Sequence, residues 1–243
     1  NVFLDLYPAQ KELYLAQLKK TKEEMDELMS TEGFTKARFK ILQLLTKLRQ
    51  ICIDPTIIFE NYKGGSVKID NLISLVKEII DNDHKILIFT SYRTALEIVK
   101  ERFNKDKISS YIIDGSVSSK KRMELVDAFN TDSTNVFLIM LKAGGTGLNL
   151  TSADVVIHLD LWWNPQVENQ ATDRTHRIGQ KNTVEVIRLI CKGTIEERIL
   201  ELQNKKKILS DTLIEGKNRD QNIISKLTEK DIKNILAFDN SEE

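Results

Sequence analysis

The chain has 243 residues, 41% hydrophobic and 30% charged, with ten Gly and three Pro. That composition fits one sizeable globular domain with appendages, or two small ones, and excludes collagen, low-complexity disorder and small disulfide scaffolds. Thirty-six basic side chains cancel thirty-six acidic ones, and residues 1–83, 84–190 and 191–243 carry net charges of −1, +2 and −1, so any binding to nucleic acid or anionic lipid must be local. Cys52 and Cys191 have no ligand-type spacing, which reads as two buried thiols in a reducing compartment. No apolar run approaches the roughly 20 residues that span a bilayer, and the start, Asn1-Val2-Phe3-Leu4-Asp5, lacks the basic and apolar regions of a secretion signal. A cytoplasmic or nuclear protein without a membrane partner is expected. The missing initiator Met suggests a piece of a longer chain.

Three stretches follow in order. From Pro8 to Asp54 the apolar residues, among them Ile41, Leu44, Leu45, Leu48 and Ile51, recur every three or four positions, which predicts helices. Asp54-Pro55 stops the second helix, and Asn61 to Ser66 reads as a loop. A helical domain over 1–65 is expected. From about 69 to 190, β-branched runs at 85–89, 111–113, 136–139, 155–157 and 184–190 alternate with amphipathic stretches. That alternation predicts an α/β domain, 66–193, with a parallel sheet covered on both faces and with ligands at the carboxyl ends of its strands. Residues 194–243 read as helical again. Thr194 with the carboxylates that follow predicts a capping box, and a second short helix is expected after Thr228. The Lys205-Lys206-Lys207 run spreads around its helix at about 100° per residue and reads as solvated surface.

Two segments carry chemistry. Lys142 to Leu150, straight after a predicted strand, holds Gly144, Gly145 and Gly147; it reads either as a phosphate cradle of backbone amides or as a tight strand-to-helix turn. It is neither the dinucleotide fingerprint nor a P-loop. In the second, Asn164-Pro165 favours a helix start and Gly179 its end. Gln170, Arg174 and Arg177 are then spaced by four and three residues, on one face. Two guanidiniums so placed suit bidentate phosphate recognition, and the alternative is a surface salt-bridge helix. The histidines have no metal spacing, so no metal held by this chain alone is expected.

The order of the segments adds a resemblance. Ile88-Phe89-Thr90-Ser91-Tyr92, Asp114-Gly115-Ser116 with Ser119 to Arg122, the glycine loop, Trp162-Trp163-Asn164-Pro165, and Asp173 to Gln180 with its Arg-Ile-Gly-Gln ending closely resemble the second RecA-like lobe of the Swi/Snf-type helicase-related ATPases. The likeness is dense over residues 69–215. It departs from the family at Ile53-Asp54-Pro55, where Asn-His-Pro is usual, and at Met140-Leu141, where a small hydroxyl residue is common.

The resemblance implies roles. Ser91 and Tyr92, and Lys120 and Arg122 after them, fall in segments associated with the DNA backbone. Of the glycine segment, Lys142 and Gly144 face the DNA track, and Gly145, Gly147 and Asn149 the nucleotide cleft. Trp163 matches a tryptophan beside DNA, although a buried aromatic is the alternative. Gln170 contacts nucleotide, while Arg174 and Arg177 act on the phosphates of ATP across a cleft, where an arginine finger contributes on the order of 10³–10⁵ in rate. Residues 194–216 resemble a helix that braces the lobes. The implied partners are double-stranded DNA, a first RecA-like lobe that holds most of the Mg²⁺ and ATP contacts, and a protein–DNA complex as substrate. Asp26-Glu27-Leu28-Met29 mimics an acidic motor box only in letters, because it lies in a charged helical run. A strand-separating DNA or RNA helicase lobe and a non-catalytic binding module are the rival readings.

Overall fold

The structure is a computed structural model that describes residues 1–141, 148–172, 183–212 and 227–237, with backbone alone at 167, 170–172 and 206–212. The chain forms two compact units, one of residues 1–2 and 68–189 and the other of residues 3–67 and 190–243.

The first unit is α/β. Its strands are the expected β-branched runs: β2 (Ile86–Thr90), β3 (Ser110–Ile113), β4 (Val136–Met140), β5 (Val155–His158) and β6 (Glu185–Cys191). Every residue of β2 and β5 is buried, as befits parallel strands covered on both faces. Helices α3 (Val67–Asp81), α4 (Arg93–Lys105), α5 (Ser119–Thr131) and α6 (Pro165–Thr172) alternate with them. A short strand that the sequence did not suggest, β1 (Val2–Leu4), completes a sheet of order β1-β6-β5-β2-β4-β3. β2 is central and parallel to both β4 (Ile86 opposite Val136) and β5 (Ile86 opposite Val155).

From β2 the chain runs first to the edge strand β3 and returns to β4, which lies between them, then crosses to the other side of β2 for β5 and β6. The carboxyl ends of β2, β4 and β5 therefore surround a topological switch point, the place where open α/β sheets take ligands. Beneath it Phe89, Phe129, Phe137 and Ile139 form the core, with the Phe129 and Phe137 rings 5.2 Å apart.

The second unit is a helical assembly. α1 (Pro8–Glu32) and α2 (Phe34–Ile53) form a hairpin. Its hinge, Gly33, has φ 73° and ψ 158°, a conformation open to glycine but strained for other residues. The stripe Ile41, Leu44, Leu45, Leu48 and Ile51 is buried as its spacing predicts; α2 ends where Asp54 turns extended, and the Asp54 carboxylate caps the short 3-10 turn Pro55–Ile57 by accepting from the Thr56 amide and hydroxyl. The Asp26-Glu27-Leu28-Met29 run lies inside α1.

The sequence set 1–65 apart from 194–243, whereas the structure packs them together. The Tyr14 hydroxyl accepts from the Ile195 amide at 2.7 Å, and Arg38 donates to the Leu227 carbonyl. The predicted cap of α7 (Ile195–Thr212) also differs. Thr194 Oγ1 accepts from the Glu196 amide, and the Glu197 and Glu196 carboxylates reach back to the Gly193 and Cys191 amides. The reciprocal box occurs instead at Thr228 and Asp231, opening α8 (Glu229–Leu236).

Candidate functional site

At the switch point the backbone turns are held by buried carboxylates. Asp160, just past β5, is 3% exposed, and its Oδ1 accepts from Thr90 Oγ1 at 2.7 Å and from the Ser91 amide at 2.8 Å. Thr90 Oγ1 in turn accepts from the Tyr92 amide. The loop after β2, which carries Ser91 and Tyr92, is thus fastened to the loop after β5.

A second carboxylate continues the chain of contacts. Glu168, in the first turns of α6, is fully buried; Oε1 accepts from the Trp162 amide at 2.6 Å and Oε2 pairs with Arg188 Nε on β6 at 2.9 Å. Asn164 Oδ1 accepts from the Gln166 amide as α6 begins at Pro165, the start that the Asn-Pro pair predicts.

Charge at this edge is arranged around a neutral imidazole. His158 is 1% exposed and stacks on Phe89 with centroids 5.6 Å apart. Burial, reinforced by the nearby Arg188 cation and opposed by Asp160, lowers its pKa to about 3. It sits as a neutral ring beside one ion pair.

On the neighbouring rim, Asp114 closes a turn after β3. Its Oδ1 accepts from the Ser116 hydroxyl and amide, and these bonds, hydroxyl first, hold the carboxyl below its ordinary range. Arg122 donates to the Val117 and Asp114 carbonyls. A cleft of about 330 Å³ lies alongside, lined in part by Ser119, Arg122, Met123, Leu148 and Asn149. Two sequence-predicted residues, Arg122 and Asn149, therefore share one cleft.

The other predicted residues fall into three groups. Ser91 and Tyr92 are half-buried at the switch point, Lys120 is exposed on α5, and Ser91 Oγ has no hydrogen-bond partner among the described residues. Trp163 is 5% exposed, so its indole belongs to the interior, the alternative that the sequence left open. Lys142, Gly144, Gly145, Gly147, Arg174 and Arg177 lie outside the described residues, and Gln170 is placed by its backbone in α6 alone.

Sequence reasoning missed Thr90, Asp160, Glu168 and Arg188 as a set. The available signal was a carboxylate directly after a β-branched run, followed by a second one just inside a helix start.

In the helical unit, Cys52 Sγ, Cys191 Sγ and a Glu196 carboxylate oxygen lie within 4.8 Å of one another, all buried. Glu196 accepts from the Cys191 amide and Cys191 Sγ donates to the Cys52 carbonyl. These bonds explain the cluster as the cap of α7.

With this geometry in view, known proteins are informative. Residues 67–179 match the family described as Helicase conserved C-terminal domain. An uncharacterized ATP-dependent helicase of Mycoplasma pneumoniae is 39% identical over 237 residues, covering 96% of this chain and 22% of that protein. The Sulfolobus solfataricus SWI2/SNF2 ATPase core solved in complex with double-stranded DNA superposes with a TM-score of 0.78 at 30% identity, over 98% of this chain and 50% of that one. The C-terminal domain of that ATPase, solved by itself, superposes with a TM-score of 0.75 at 29% identity, over 97% of this chain and 96% of that one. The chain is a C-terminal lobe of the Swi/Snf type.

As a Swi/Snf-type lobe it spans about a fifth of the length of the Mycoplasma relative. The helical unit and the sheet unit are both within the superposed region, which takes in nearly the whole chain.

Proposed function

We propose that this lobe is the second half of a DNA-stimulated ATPase motor that translocates on double-stranded DNA and remodels protein–DNA complexes. The observation that carries the reading is the switch point. There the loop bearing Ser91 and Tyr92 and helix α6, whose sequence continues to Arg174 and Arg177, both start from the carboxyl edge of one sheet. Ser91, Tyr92, Lys120, Arg122, Lys142 and Gly144 track the phosphates of one strand. Gln170, Gly145, Gly147 and Asn149 face the nucleotide, and Arg174 and Arg177 meet the γ-phosphate as charge develops on it. With Trp163 in the interior, its part in DNA contact is indirect, through the shape of the loop that precedes α6.

ATP and Mg²⁺ need acids and a phosphate grip. Among the described residues, the carboxylates at this edge do not fit a metal site, because Asp160 and Glu168 are engaged by Thr90, Ser91, Trp162 and Arg188. A first RecA-like lobe is the proposed source of those groups, and the isolated lobe is expected to be inactive. A DNA-associated location, cytoplasmic or nuclear, goes with this role.

The test is steady-state ATP turnover of the full-length protein with and without duplex DNA. Arg177→Ala should lower turnover at least about a hundredfold with unchanged folding, and Lys142→Ala should weaken DNA stimulation and flatten its salt dependence. Turnover insensitive to Arg177→Ala would remove the arginine role. Stimulation by single strands with strand displacement would favour a helicase, and no turnover at all would favour a binding module.

A further inference from the structure

We propose that Asp160 and Glu168 are positioning residues that couple DNA at the Ser91–Tyr92 loop to helix α6, and so to ATP hydrolysis; the inference rests on the motor reading above. The path is short and continuous. The Ser91 amide and the Thr90 hydroxyl bond to Asp160, Leu161 follows Asp160 in the chain, the next amide, that of Trp162, bonds to Glu168, and Glu168 is paired to Arg188 in β6. Glu168 stands six positions before Arg174 and nine before Arg177 in sequence.

The hydroxyl and the two carboxylates of the path are buried, while Ser91, Trp162 and Arg188 are half-buried. Thr90 is 2% exposed, Asp160 3% and Glu168 0%. A close-packed polar path of this kind resists gradual deformation, so a shift of the 91–92 backbone is passed to the 160–162 segment rather than lost to water. The carboxylates are acceptors for backbone amides at both steps, so each tie joins main chain to main chain through a single buried side chain. Arg188 fixes the far end on the sheet, so α6 has a pivot against which to move. Neither carboxylate is proposed to touch ATP or DNA.

The distinguishing property is the dependence of turnover on DNA. Thr90→Val keeps the shape of the side chain but removes the hydroxyl that donates to Asp160, and Thr90→Ser keeps the hydroxyl. Glu168→Gln keeps an acceptor for the Trp162 amide and cancels the ion pair.

In the full-length protein, Thr90→Val and Glu168→Gln should each reduce the stimulation of kcat by duplex DNA about five- to tenfold or more, the lower range of typical coupling energies. Basal kcat, KM for ATP and the duplex Kd should stay within about twofold, and Thr90→Ser should restore stimulation. If Thr90→Val and Glu168→Gln retain full stimulation while Arg177→Ala abolishes turnover, the coupling is refuted and the motor reading stands. If basal and stimulated rates fall together and Thr90→Ser does not rescue, the residues are merely structural and the inference fails. If Arg177→Ala also leaves turnover intact, the motor reading itself has failed.

Discussion

Removing the Glu168 carboxylate gives the sharpest stability test of the sheet unit. Glu168→Ala leaves Arg188, whose side chain is 26% exposed, without its partner and strips the Trp162 amide of the acceptor at 2.6 Å. Breaking a buried pair from one side costs about 3–5 kcal/mol. Partial access of water to Arg188 moves the cost to the lower end, about 3 kcal/mol. For a chain of this size each kcal/mol corresponds to about 2–4 °C, so the melting temperature should fall by about 6–12 °C. The contrast is Glu124→Ala, which breaks an ion pair whose side chains are 59% and 50% exposed and should scarcely move the midpoint. Thermal unfolding followed by far-ultraviolet circular dichroism measures both. A Glu168→Ala midpoint within about 2 °C of the parent would show that the pair contributes almost nothing, contrary to the burial argument.

Three further outcomes follow from the geometry. His158, with a folded pKa of about 3 against 6.5 unfolded, contributes stability that is complete above pH 6.5 and is lost as pH falls toward 3. By pH 5 the loss should be about 2 kcal/mol; in denaturant titrations from pH 7.5 to 5 the parent should lose about that much stability relative to His158→Phe, and parallel curves would contradict the assignment. Tyr14→Phe deprives the buried Ile195 amide of its acceptor and should cost about 1–3 kcal/mol in the same titration at pH 7. An unchanged midpoint would mean that the hydroxyl bond is dispensable. In the full-length protein the Arg177→Ala loss of turnover should be accompanied by an unchanged melting temperature, separating phosphate chemistry from folding.

The five strands β2 to β6 and the α1–α2 hairpin were legible because their signals are local. A run such as Val136-Phe137-Leu138-Ile139 is too short for a helix and reads as a buried strand, and the Ile41 to Ile51 stripe has one helical face. β1 was not legible, since three residues at a sheet edge carry no periodicity. The cap at Thr194 was placed correctly but bonded differently, because Glu196 and Glu197 found the Cys191 and Gly193 amides first. Around the candidate site, the helix start at Asn164-Pro165 was legible, whereas the carboxylate bolts were not. Asp160 and Glu168 read as ordinary polar residues until Thr90, seventy positions away from Asp160, and Arg188 are brought to them by the parallel sheet. Trp163 shows the opposite limit. An aromatic beside a helix start looks the same in sequence whether it faces a ligand or the interior.

The helical unit is stitched from both flanks of the sheet unit, and the bond from Ile195 to Tyr14 closes a separation of 181 residues. A nascent chain emerging from a ribosome therefore displays the α1–α2 hairpin long before its remaining partners exist, while the strands from β2 to β5 can pair soon after they appear. Closing so long a loop carries only a logarithmic entropy cost but a kinetic delay, so the apolar flank of the hairpin is the surface most in need of chaperone cover during synthesis.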